Sequence, residues 1–300
     1  MTSIAAAGAT PLIGPSIERP SRAREIRNAI PTDLIWTSFF AAVVPLVWIL
    51  YTVITKGLSL LLSSTWWLES QRGITVRHVG GGAYHAIVGT LLQATVTALI
   101  SVPIAIFTAV YLVEYGRGRL ARAVSFMVDI LTGIPSIVAA LFIYALWVTT
   151  LGLDRAGFSV SLALVLLMLP VVVRSTEEML RLVPNELREA SYALGVPKWK
   201  TISRVVIPTA FSGIVTGVLL GLARVIGETA PLLILGPYTK EINFNLFSGN
   251  MAALPTMINW DRTQSLQPAV DRTWAAALTL ILLVLLLNIA GRVIARFSRV

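Results

Sequence analysis

The feature that most limits this chain is a set of apolar runs long enough to cross a bilayer. A hydrocarbon core about 30 Å thick takes roughly 20 helical residues. Six runs approach or exceed that length, at 34–55, 85–113, 124–150, 158–173, 209–235 and 273–294. Lipid offers no hydrogen-bond partners, so runs of this length satisfy their own backbone as helices. Apolar residues make up 56% of the 300 residues and charged ones only 13%, too little charge to coat a water-soluble body of this size. The expectation is an all-α integral membrane protein with six transmembrane helices. The fourth run is short, about 24 Å by helical rise, with Arg174 placed to snorkel at one end. The first run is expected to stay as an anchor, because its core is too long for a cleaved leader and no small-residue cleavage site follows Ile54.

Basic residues orient the spans. Sixteen Lys and Arg lie in the N-terminal tail, the loop at Arg117–Arg122, the loop from Arg174 to Arg204 and the C-terminal tail, against seven in the alternate loops. The basic set is expected in the cytoplasm, together with both termini. The organisation follows as a tail over 1–33, a first span over 34–55, an external loop over 56–84, a core over 85–294 with a cytoplasmic loop at 174–208, and a tail over 295–300. The uncharged stretch 242–260 holds four Asn, a Gly and a Pro. It reads as external or re-entrant, since a seventh span would place the basic C-terminal tail outside.

Several function classes are disfavoured. Cys is absent, and His78 and His85 sit among Gly and apolar residues, so no metal site is expected. The net charge of +9 is dispersed between apolar runs without a basic, aromatic-studded face for nucleic acid. No nucleophile with a His partner is visible, so an enzyme is not expected. No phosphate-binding loop of the form G-x-x-x-x-G-K-[ST] occurs, so no nucleotide or other cofactor is expected in this chain.

The long cytoplasmic loop carries a helical pattern. Leu187, Ala190, Ser191 and Leu194 fall on one small-and-apolar face, with Asn185 a candidate N-cap and Gly195 followed by Pro197 as the stop. Such a helix can lie on lipid headgroups, or it can dock into a partner and pass motion to the spans. The residues favour the second use. Glu189-Ala190-Ser191, Gly195, and Val205-x-Ile207-Pro208 resemble the EAA loop of ABC importer permeases, E-A-A, three residues, G, nine residues, I-x-L-P. Ser191 replaces the second Ala. In that family this loop docks in a groove of the cytoplasmic ATPase.

The segments 89–116, 129–142, 176–195 and 223–233 resemble the phosphate-specific permeases of the PstA type, over roughly residues 80–295. The resemblance implies a five-helix type I importer core preceded by one N-terminal helix. It further implies a second homologous permease, two ATPase subunits and an extracytoplasmic phosphate-binding protein. A permease for another oxyanion, such as phosphonate, sulfate or molybdate, is the near alternative. A secondary transporter acting without partners is the distant one.

Two spans carry polar faces. Gly213, Gly217, Gly221, Arg224 and Glu228 share one side of the fifth, where small residues let a helix approach closely and charges should face protein or water. Thr90, Gln93, Thr97, Ser101 and Thr108 share a side of the second. Together they suggest a lined path. Arg224 offers a planar fork for phosphate oxygens, with Glu228 to neutralise it; alternatively the two form only an i, i+4 lock. Thr229 adjoins them. Thr132, Gly133, Pro135 and Ser136 mark a helix irregularity in the third span, either lining the path or merely kinking. Trp66 and Trp67 read as an interfacial belt, and Gly80 to Gly82 as a hinge.

Overall fold

The computed structural model describes residues 22–297, without the side chains of 22–30 and 297. The outermost parts of both expected tails, with Arg19 and Arg299, lie outside it. The described backbone is all helical, without a strand, and divides into two units, 1–52 and 53–300. The boundary falls inside α1 (Arg22–Leu61). In the first unit α1 carries Trp36, Phe39 and Phe40 in mutual ring contact.

In the second unit α2 (Ser64–Leu68) and an irregular loop lead to α3 (Tyr84–Val110), which runs on through a π-helical turn, Tyr111–Tyr115. Next come α4 (Gly118–Gly133) and α5 (Ser136–Ile143), the latter prolonged by π-helical Tyr144–Thr150. The long α6 (Gly157–Arg181) precedes the basic loop, which holds α7 (Asn185–Ala193) and α8 (Lys198–Thr201). A π turn, Ile202–Val206, joins α8 to α9 (Ile207–Ile226), followed by α10 (Ala230–Leu235), α11 (Leu254–Arg262) and α12 (Gln267–Phe297).

Five helices are long and apolar enough to cross a membrane among the described residues, and a sixth crossing arises if α4 and α5 count as one span. That pair bends by 107°. The third run, 124–150, is therefore no single rod. Pro135 explains the corner, because its ring pushes the preceding residue out of helical geometry, and Ile134 is extended at φ −72°, ψ 126°. The fourth run is longer than its apolar stretch implied, since α6 continues through Arg174 to Arg181. The fifth differs at both ends. Its helix begins at Lys198, where Pro208 is accommodated by the widened π turn just before it, and it breaks at 227–229 ahead of Pro231.

Helix α6 is the axis of the core, with Val160, Ala163, Leu164, Leu167, Met168 and Val172 buried against α3 and α9. Gly213, Gly217 and Gly221 of α9 lie against Met179, Ser175, and Val172 with Met168. Here the small-residue stripe does bring two helices together. Near the start of α3, residues 251–253 press so closely on it that a Cβ on Gly89 would overlap the carbonyl oxygen of Ala252. The stretch 242–260 is thus a loop and a short helix folded back onto α3, not a span.

Trp66 corrects the belt reading. It is 0% exposed, and its indole N–H donates to the Thr279 hydroxyl of α12 at 2.9 Å. Trp67 alone remains open, donating to the Leu61 carbonyl. A largely buried polar chain ties the loop after α2 to the segments before α11 and in α11 and α12. Tyr238 donates to Gln71 at 2.7 Å, Gln71 to Asp261 at 3.0 Å, and Arg272 lies 3.5 Å from Asp261 while donating to the carbonyls of His78 and Gly80. Burial pushes the Asp261 carboxyl above the usual carboxylate range and the Tyr238 phenol upward too.

Candidate coupling surface and substrate pathway

The candidate coupling helix, α7, is built from local signals, with one change at its start. Pro184 caps it, and Asn185 is the first helical residue; the Asn185 side chain instead accepts from Arg188 at 3.3 Å. The exit is the expected one. Gly195 has φ +74°, its N–H donates to the Tyr192 carbonyl, and the Val196 N–H reaches back to Ser191, the paired bonds of a Schellman stop. No atom lies within 4 Å of a Cβ placed on Gly195, so only its backbone demands glycine.

Leu187, Glu189, Ala190 and Leu194 are exposed on α7, and Pro208 is exposed beyond it. Ser191 is not on that open face. It is buried, and its hydroxyl meets that of Thr201 at 2.8 Å, holding α7 against α8. Tyr192 and Trp199, which no pattern had singled out, add exposed aromatic surface beside Leu194.

Two ion-pair systems fasten the helix ends next to the basic loop. Arg174 binds Asp129 and both the hydroxyl and the carbonyl of Ser125 on α4, and Glu177 at 2.6 Å on its own helix; Arg181 takes the other Glu177 oxygen at 2.6 Å. Arg174 is therefore a tie between α4 and α6, more than an interfacial anchor. The second system joins α7 to α3. Arg188 donates to one Glu114 oxygen through Nε at 3.0 Å and Nη2 at 2.9 Å, and to the carbonyls of Val183 at 2.6 Å and Leu180 at 3.0 Å. Lys198 donates to the Glu114 carbonyl and stands 4.7 Å from the centre of the Tyr115 ring.

The polar side of α3 is sealed within the chain. Thr90, Gln93, Thr97 and Ser101 are buried, and the three hydroxyls each donate to the carbonyl four residues back. Thr90 also accepts the Leu254 N–H at 2.8 Å, and Ser161 of α6 donates to the Gln93 carbonyl. Gln93 Nε2 is buried without a partner. It adjoins a cavity between Thr90, Leu164, Val225, Ile226, Leu232 and Ala253 that is about the size of one water molecule, too small for a tetrahedral oxyanion.

Arg224 does not line this cavity. Its side chain is 48% exposed and Glu228 18%, with 3.8 Å between Nε and Oε1. Within this chain the Gly213–Glu228 face is not buried throughout: the glycines pack on α6, whereas Arg224 is about half exposed. Nor does one helix carry both charges, since α9 ends at Ile226 and Glu228 and Thr229 lie in the break. Thr132 and Ser136 flank the corner between α4 and α5, with the Thr132 hydroxyl returned to the Val128 carbonyl. The structure thus brings Thr90, Gln93 and Thr97 together on α3, and Arg224 with Glu228 and Thr229 at the α9 break, as separate clusters.

Residues 101–300 match the family described as binding-protein-dependent transport system inner membrane component. The chain is 54% identical over 283 residues to the phosphate transport system permease protein PstA 1 of Mycobacterium tuberculosis, covering 94% of this chain and 93% of that protein. It is 56% identical over 268 residues to the phosphate transport system permease protein PstA of Mycobacterium leprae, covering 89% and 88%. Among solved structures, a bacterial alginate ABC transporter in complex with an alginate pentasaccharide-bound periplasmic protein has a chain of the same fold. It gives a TM-score of 0.60 at 15% identity, over 93% of this chain and 96% of that one. The chain therefore belongs to the binding-protein-dependent transport system inner membrane components and, within them, to the PstA-type permeases.

Proposed function

We propose that this protein is the membrane-spanning permease of an ATP-driven importer that carries inorganic phosphate across the plasma membrane by alternating access. The observation that carries the reading is the identity to phosphate permeases, which extends over 94% of the chain. The coupling helix supports it, with exposed Leu187, Glu189, Ala190 and Leu194 beside a left-handed Gly195 stop. In this reading the chain pairs with a second, homologous permease and with two ATPase subunits that use ATP and Mg²⁺. An extracytoplasmic phosphate-binding protein delivers the substrate. Both termini and the loop 174–208 face the cytoplasm, in keeping with the basic residues there. Arg224, in the half-open α9 cluster, meets phosphate with its fork, and the cavity beside Gln93 is the closed remnant of a path. Uptake of labelled phosphate in a strain lacking its own permease of this type tests the reading. Restored uptake supports it; restored uptake of sulfate or molybdate but not phosphate refutes the substrate.

A further inference from the structure

We infer that Glu114 and Arg188 form the joint through which the coupling helix drives α3, a helix it is not linked to by adjacent sequence. The inference rests on the importer reading above and says where the force enters the bundle. Chain connectivity alone would pass a displacement of α7 to α6 and, through α8, to α9. The side chains add a third recipient. Glu114 and Arg188 are 6% and 13% exposed, shielded enough from water for the pair to resist screening. Arg188 uses Nε, Nη1 and Nη2 at once, on Glu114, on Val183 and Leu180 at the end of α6, and on Asn185 of its own helix. A lysine ammonium cannot hold those partners in one plane. Lys198, beyond the Gly195 stop, grips the same point of α3 through the Glu114 carbonyl and the Tyr115 ring. The coupling loop is thus pinned to α3 from both sides of its turn. Helix α3 in turn carries Thr90 and Gln93 along its buried side.

The joint makes Arg188 and Glu114 positioning residues, and its signature is the ratio of phosphate carried to ATP hydrolysed per assembled complex. That ratio is measured for the full complex in proteoliposomes, with labelled inorganic phosphate and ATP. Glu114→Gln and Arg188→Lys should each lower it about tenfold while ATP hydrolysis continues. A merely structural role would reduce the amount of assembled complex and leave the ratio alone. Because the chain has no native Cys, Glu114→Cys with Arg188→Cys can be bridged by a short reducible bis-thiosulfonate, with partner subunits freed of Cys. The bridge should restore the ratio, and reductant should remove it again. An unaltered ratio in Glu114→Gln, or a bridge without effect, overturns the joint. Failure of the unmutated complex to take up phosphate overturns the importer reading instead, and the joint's role with it.

Discussion

At the scale of single residues, Arg224 is the sharpest case. Arg224→Lys keeps a positive charge near Glu228 but loses the fork. A charge-assisted hydrogen bond is worth about 1.5–3 kcal/mol, so phosphate uptake should fall roughly tenfold or more if the guanidinium meets the anion. Glu228→Gln should be milder, since the two groups are 3.8 Å apart across a helix break. Near-normal uptake by the Lys variant would make Arg224 a lock and not an anion contact. Gly195 poses a purely conformational test. Its surroundings are empty, so Gly195→Leu meets no clash and bears only the left-handed penalty, about 1–2 kcal/mol. We expect normal membrane levels with uptake largely lost, because relaxing the turn redirects α7. Equal uptake at equal protein level would refute that role for the turn.

Among elements, the close approach of the 251–253 segment to α3 gives a graded prediction. In Gly89→Ala the new methyl meets backbone, which cannot rotate aside, and overpacking of this kind costs about 1–3 kcal/mol. Gly133→Ala, with open space at its Cβ and no left-handed φ, should change stability by less than about 0.5 kcal/mol. Thermal unfolding in detergent separates the two; equal melting temperatures would show that residues 251–253 do not rest on α3. The sequence made helices legible because length and hydropathy act locally. It showed the corner at Pro135 only as an irregularity and hid the break at 227–229, since Glu228 falls four residues after Arg224 and so reads as a continuation of the helix. Trp66 looked interfacial because its environment comes from α12, and the partnership of Glu114 with Arg188 joins residues 74 positions apart. Ser191 was placed on the outer face by periodicity, which reads direction but not the hydroxyl waiting at Thr201.

Over the whole molecule, orientation is the property that the basic loops set. A Cys placed at the exposed Ser248 should be labelled by an impermeant thiol reagent added outside intact cells, and a reporter fused to the C-terminus should be active only in the cytoplasm. The reverse pattern would mean that the chain is inverted or that 242–260 crosses the bilayer. In the proposed orientation, α3 is fixed tightly toward both of its ends. Its outer portion holds the Leu254 N–H on Thr90 and the Ala252 carbonyl against Gly89, and its inner end is clasped by Arg188 and Lys198. In the proposed importer, a helix held this way obeys thermodynamic reciprocity: whatever factor nucleotide binding inside applies to the grip of the outer face on its partner, that partner returns to nucleotide affinity undiminished.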